Sequence, residues 1–303
     1  MRRSALPALV ASALLLSACG GSSEESNTDA NAATAPGDLP VVAGEFGEEP
    51  EITYPESGPP EGLEVEVLSE GDGAEVAAGD DLVADYIGQI WDGEAFDNSF
   101  TRSEPAVFPI GVSAVIKGWD EGLVGQKVGS RVLLSIPSEL GYPEGQPSAG
   151  IEKGDTIVFV VDIIDTYGGT SAGDADAEIV DGALDDLPVD ITGDLGEPAE
   201  ITIKDGASAP EEATVSVLAR GKGEETREGS TALHYVIDVW DSEESASTWE
   251  DEKVAVTTLG DGTTPFDVLI GEPVGSRALI QVPAVPGGDA MAILVDIVGQ
   301  PTR

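Results

Sequence analysis

The sequence predicts an α+β chain made of two tandem copies of one domain, each a small antiparallel β-sheet with one short α-helix packed on it. Three observations predict it. The apolar runs are short, β-branched and alternating, with Gly, Asp and Pro between them. Only the stretch around Trp119 reads as helix. The chain also repeats itself: Asp38-Leu39-Pro40-Val41 recurs as Asp186-Leu187-Pro188-Val189, Glu51-Ile52-Thr53 as Glu200-Ile201-Thr202, and Val128-Gly129-Ser130-Arg131 as Val274-Gly275-Ser276-Arg277. Tyr86 and Trp91-Asp92 return as Tyr235 and Trp240-Asp241, and Val160-Val161-Asp162-Ile163 as Leu294-Val295-Asp296-Ile297. Matches at both ends and in the middle indicate duplication.

The first segment is not part of either copy. Arg2 and Arg3, the apolar run Leu6 to Leu16 and the small residues Ser17 and Ala18 make residues 1–18 an export signal, and the run is too short for an ordinary spanning helix. Leu16-Ser17-Ala18-Cys19 resembles a bacterial lipobox, which makes Cys19 the first mature residue and the lipidated one. An ordinary signal peptide followed by a chance cysteine is the alternative. Cys19 is the only cysteine, so no disulfide forms within the chain. The localisation implied is exported and lipid-anchored to the outer face of the bacterial cell membrane. Residues 20–37 are small and polar and read as a tether, so 19–61 is expected to be a flexible tether and N-terminal extension. The same composition at 170–178 marks a linker, 169–185, between a domain at 62–168 and a second at 186–300. With 14 basic against 58 acidic residues and a formal net charge of -44, nucleic acid is excluded as a partner class, and contact with the membrane is through the lipid anchor alone.

Within the first copy the predicted strands are Leu63 to Leu68, Leu82 to Trp91, Arg131 to Ile136 and Thr156 to Asp165. Between the second and third, Val115-Ile116 reads as a strand end, followed by a Gly turn and one or two helical turns opened by Trp119. A helix this short needs tertiary packing. On residue type alone Trp119 is a core plug.

At this point the residues resemble a known family, the FKBP-type peptidyl-prolyl cis-trans isomerases. The carrying motifs are Glu70-Gly71-Asp72-Gly73, Asp92 to Ser99, Phe108-Pro109-Ile110-Gly111, the Val115 to Arg131 stretch and Leu140-Gly141-Tyr142, collinear across residues 62–167. The resemblance implies two tandem FKBP-like domains, each an antiparallel sheet wrapped around a short helix with a shallow apolar pocket between them. It makes Trp119 the pocket floor, with Tyr86, Phe96, Val115, Ile116 and Phe159 as walls. Tyr142 and the Ile116 backbone amide would donate to a substrate carbonyl. Asp97 would face the twisting amide with Arg102 near it, and Ile151 would belong to the loop closing one side. Singly, Phe96, Val115, Ile116 and Phe159 would be core residues in any β-rich domain, and Asp97 and Tyr142 ordinary loop residues; together they make a pocket. Ala106 stands where the family usually has an aromatic, and residues 143–150 lack the aromatic or His often found after the tyrosine.

The chemistry is consistent with the residues. Rotation about an X-Pro bond is opposed by a barrier of about 20 kcal/mol because twisting destroys amide resonance, so neither nucleophile nor metal is needed. No cofactor and no metal are expected: His234 is the only histidine and no ligand cluster has metal spacing.

The second copy keeps the scaffold and loses the pocket. Ser245-Ala246 stand for Phe96-Asp97, Phe266-Asp267 for Trp119-Asp120 with one residue lost nearby, and the loop that carried Tyr142 is missing. It reads as degenerate and non-catalytic, open between binding a client, binding a partner and acting as a spacer. The function expected is an exported prolyl isomerase acting on proline-containing polypeptide clients with an apolar residue before the proline, with macrolide inhibitors a candidate ligand class. The alternative is a non-catalytic binding or chaperone module for extended chains.

Overall fold

The structure is a computed structural model that describes residues 38–102 and 105–301. The expected export signal, Cys19 and the expected tether to residue 37 lie outside the described residues. The chain opens with a hairpin of β1 (Val41–Ala43) and β2 (Glu51–Thr53). Next come β3 (Glu64–Ser69), β4 (Asp81–Ile90), β5 (Ala95–Asn98), β6 (Ala106–Pro109), α1 (Lys117–Leu123), β7 (Arg131–Ile136) and β8 (Ile157–Tyr167). The first sheet has the order β3-β7-β8-β4-β5, all antiparallel, and β6 shares with β5 the edge of β4 that β8 leaves free.

The order then recurs. After β9 (Glu178–Ile179), a hairpin of β10 (Val189–Thr192) and β11 (Glu200–Ile203) precedes β12 (Thr214–Arg220), β13 (Gly229–Val239), β14 (Ser245–Ser247), β15 (Ala255–Leu259), β16 (Arg277–Val282) and β17 (Met291–Gly299). These strands lie in the order β14-β13-β17-β16-β12-β9, with β15 on β13. The expected linker therefore contributes β9, which pairs with the end of β12, and Asp174 N donates to Gly275 O.

Alternation decides what each face does. On one face of the first sheet Ala84 and Tyr86 of β4, Leu134 and Ile136 of β7, and Phe159 and Val161 of β8 pack with Trp119 and Leu123 of α1. Seven residues cannot hold a helix by backbone bonds alone. Burying Trp119 and Leu123, each contributing about 2–3 kcal/mol, supplies what the ladder does not. The helix starts at Lys117, two residues before Trp119, and Val115-Ile116 is a bend rather than a strand end. The cause is Asp120, whose carboxylate accepts from Gly111 N at 2.6 Å and Ser113 N at 2.8 Å and so folds the segment back on the helix. Asp267 does the same with Gly260 N and Gly262 N, but there Pro265–Leu269 forms only a 3-10 turn.

On the opposite face Leu39, Val42, Ile52 and Tyr54 of the N-terminal hairpin cover Ile87, Leu133, Val158 and Val160. The hairpin is held by Arg131, which is 2% exposed. Its Nε and one terminal nitrogen donate to Asp162 at 2.6 and 2.7 Å, and the terminal nitrogens also donate to Gly44 O and Glu48 O. Arg277 repeats the arrangement with Asp296, Gly193 O and Glu197 O.

Between these layers β4 carries buried Asp85, which accepts from Ser99 Oγ at 2.7 Å; β13 places His234 at the equivalent position, 2.8 Å from Thr248 Oγ1 and stacked on Trp249 at 3.5 Å. Burial pushes the His234 imidazole down to about 4, with the Ser171 backbone opposing. A folded-state pKa below the unfolded value of about 6.5 means the contribution is complete above that pH and lost as pH falls toward 4. Replacing His234→Phe is expected to remove an acid-linked stability loss on the order of 2 kcal/mol between pH 8 and pH 5, read from paired urea titrations. For the clamp, Arg131→Ala leaves Asp162 buried without its partner and is expected to cost about 3–5 kcal/mol, with hydrogen exchange rising first in residues 41–53. The double variant Arg131→Met, Asp162→Leu is expected to lose less stability.

Candidate active site

Where α1 meets the sheet, a cavity of about 420 Å³ opens, lined by Tyr86 of β4, Phe96 and Asp97 of β5, Phe108 of β6, Ala114, Val115 and Ile116 of the bend, Trp119, Tyr142 and Phe159 of β8. The aromatic rings lock one another edge to face. Trp119 lies 5.3 Å from Tyr86, 5.0 Å from Phe108 and 5.1 Å from Phe159, at interplanar angles of 88°, 78° and 81°. Such contacts are worth about 0.5–1.5 kcal/mol each beyond area burial and fix ring orientation. The buried Trp119 indole N–H has no hydrogen-bond partner among the described residues.

Gly88 makes room for this box. A Cβ on it would stand 2.6 Å from the Phe159 ring and 2.8 Å from the Phe96 ring, which meet at 5.6 Å. In the second repeat the register puts Ile237 at this position. There, Thr257 replaces Phe108 and Phe266 replaces Trp119.

The polar side of the cavity is a connected set. Tyr86 Oη donates to Asp97 Oδ2 at 2.5 Å, Arg102 donates to Asp97 Oδ1 at 3.0 Å, and it also donates to Tyr86 Oη at 3.0 Å. Burial, with the Asp97 bond adding, pushes the Tyr86 phenol up to about 12. Burial and the Asp97 charge likewise raise Tyr142. Both phenols therefore keep their protons at neutral pH and act as donors. The Arg102 and Asp97 side chains are 46% and 40% exposed, so their ion pair adds little stability and serves to aim the carboxylate. Glu49, in the turn between β1 and β2, reaches the neighbour of Asp97: Asn98 Nδ2 donates to Glu49 Oε1 at 2.6 Å. The second repeat has Pro198 and Ser247 at these places.

Of the residues singled out from sequence, Asp97, Tyr142, Trp119, Ile116, Tyr86, Phe96, Val115 and Phe159 all line the cavity. Ile116 is the N-cap of α1, where an amide lies outside the helix's own ladder. Arg102 stands behind Asp97 and Tyr86, and its guanidinium lies 5.5 Å from the Tyr86 ring centre. Ile151 is in the core, 1% exposed, and does not line the cavity. Phe108 and Ala114 were not expected as walls. Phe108 sits within a motif stretch, and its phase with Ala106 on one strand was the available signal. An apolar, aromatic-walled cavity with phenol donors and one aimed carboxylate can bind and distort a neutral group.

The model of the family described as FKBP-type peptidyl-prolyl cis-trans isomerase matches residues 73–164. An FK506-binding protein of Streptomyces anulatus is 40% identical over 119 residues, covering 39% of this chain and 96% of that protein. An FK506-binding protein of Neisseria meningitidis serogroup B is 40% identical over 106 residues, covering 35% of this chain and 97% of that protein. The FKBP-type 22 kDa peptidyl-prolyl cis-trans isomerase of Escherichia coli is 42% identical over 104 residues, 34% of this chain and 50% of that protein. The hairpin of β1 and β2 and the whole second repeat lie outside the matched residues 73–164.

Three substitutions separate the roles of the cavity residues. Asp97→Ala is expected to lower kcat/KM for an X-Pro peptide about tenfold, and Tyr142→Phe about threefold, both with little change in Tm. Trp119→Ala is expected to cost about 3–5 kcal/mol of stability as well as activity. Steady-state kinetics paired with thermal melts on each variant checks this.

Proposed function

The chain belongs to the FKBP-type peptidyl-prolyl cis-trans isomerase family, and we propose that it catalyses rotation about X-Pro bonds in the cavity over Trp119, in the first of two tandem FKBP-like domains. The observation that carries this reading is the contrast within one chain. The aromatic box, the aimed Asp97 carboxylate and the Tyr142 donor occur together in the first repeat, whereas the second has Ile237, Ser245-Ala246 and no counterpart of the Tyr142 loop.

The geometry suits the reaction. A twisted X-Pro amide has lost conjugation, so its carbonyl is less polarised toward nitrogen and its nitrogen more pyramidal. An apolar box that admits the proline ring over Trp119 while Tyr142 holds a flanking carbonyl favours that twisted form over the planar one. Each 1.36 kcal/mol of such preference gives about tenfold in rate. Asp97, kept in one orientation by Tyr86 and Arg102, lines the wall beside the turning amide. No bond is made or broken, and no group changes its proton during the turn.

The substrates proposed are proline-containing polypeptides with an apolar residue before the proline, since the walls are apolar. The relatives are named for binding FK506, and the same cavity is the proposed macrolide site. The signal at residues 1–18 and the lipobox around Cys19 support an exported, lipid-anchored isomerase that assists folding outside the cytoplasm. The second domain, at 186–300, is proposed to be non-catalytic.

Exchange spectroscopy on a prolyl peptide with the full chain tests the function. Acceleration of the cis–trans interconversion is expected, and binding without acceleration would instead establish a holding module. The net charge of -44 adds a signature: kcat/KM is expected to be higher for Lys-flanked than for Glu-flanked peptides, with the gap closing as ionic strength rises.

A further inference from the structure

The two repeats bury the same positions against each other. Val83 and Ala232, Val107 and Val256, and Ile164 and Val298 are equivalent pairs in the duplicated sequence, and all six belong to one apolar cluster. The adjoining cleft, about 800 Å³, is lined by equivalents as well, Asp81 with Ser230 and Pro109 with Thr258. A contact made by one patch on both sides is isologous, so the repeats meet about a pseudo-twofold axis, as the subunits of a C2 dimer would. The approach is close: a Cβ on Gly299 of β17 would stand 2.5 Å from the Tyr167 ring of β8.

Strand β6 joins this interface to the cavity. It is four residues long and, among the described residues, pairs only with β4. By alternation Phe108 points into the cavity, against Trp119 and Tyr86, and Val107 points the other way, into the cluster shared with Val256. A short edge strand with one hydrogen-bonded side is held weakly unless its outer face is covered.

We propose that the second repeat is a brace in cis: by covering Val83 and Val107 it fixes β6, and through β6 it fixes Phe108 as a wall of the cavity in the first repeat. This rests on the reading of that cavity as the isomerase site. It gives the repeat that lacks the aromatic box a role in the chemistry of the other, as the fused partner of an intramolecular dimer. Phe108 contributes to binding in ground and transition states alike, so loosening it raises KM more than it lowers kcat.

The test uses the full chain with two interface changes in the second repeat: Val256→Glu, which places a charge in the cluster, and Gly299→Val, which wedges against Tyr167. Both are expected to speed hydrogen exchange at the β6 amides and to raise KM for a prolyl peptide three- to tenfold, with kcat within twofold of wild type. Loss of folded protein would do the opposite, lowering apparent kcat at unchanged KM. Unchanged β6 exchange in both variants overturns the brace, and so does faster exchange with wild-type KM. An inactive wild-type chain would instead refute the isomerase reading, and the brace would then stand or fall on β6 exchange alone.

Discussion

A buried guanidinium must find every partner it can, and that constraint organises both halves of this chain. Arg131 is removed from water together with Asp162, an arrangement that costs several kcal/mol unless all donors are used. Asp162 takes two of its bonds, and the carbonyls of Gly44 and Glu48 take the others. Asp162 Oδ2 also accepts from Gly47 N at 2.7 Å. The β1–β2 turn is thus drawn onto the sheet by the need to solvate one ion pair. Arg277 and Asp296 impose the same geometry on the second hairpin. Burial raises the Asp296 carboxyl and Arg277 opposes it, a balance that the pair must maintain for the fold to close.

Because this clamp lies on the face of the sheet away from the helix, fold and chemistry can vary separately. The second repeat keeps the clamp, the strand order and the Asp267 counterpart of Asp120. Several of its changes fall on the helix side or its loops. Ile237 fills the space that Gly88 leaves open, and the connection after β16 is a short bridged turn at Val285 and Gly288 where the first repeat carries Tyr142. A sheet stabilised from behind tolerates loss of the cavity in front. Its rear face is still needed, since part of it forms the contact with the other repeat.

Much of this is legible in the sequence. The duplication shows through Val-Gly-Ser-Arg and the Asp-bearing last strand because the Arg and the Asp form the clamp, and the Ser hydroxyl accepts from Gly71 N in the first repeat and from Gly221 N in the second. Most cavity residues were legible through their family spacing. Phe108 and Ala114 were not, because their exposure to the cavity depends on strand phase and on a bend set by Asp120 through bonds to amides nine and seven residues back. The bend also turned Val115-Ile116 out of the expected strand. Ile151 lies in the core rather than in the cavity lining for a related reason: a loop residue can line a rim or plug a core, and its bridge to Gln146 turns it inward. The contact between repeats left no sequence signal, since Val83, Val107 and Val256 look like any strand valine until both sheets are in place.

The chain carries four tryptophans, Trp91, Trp119, Trp240 and Trp249, and so four indole reporters distributed over both repeats. Titrating the full chain with a short peptide containing an apolar residue before proline, while following the four indole N–H resonances, asks directly where an X-Pro segment binds. If the cavity of the first repeat is the isomerase site, the Trp119 resonance moves, Trp240 and Trp249 stay in place, and cis–trans exchange peaks of the peptide appear at the same occupancy. Movement of Trp249 or Trp240 with Trp119 unchanged would contradict it.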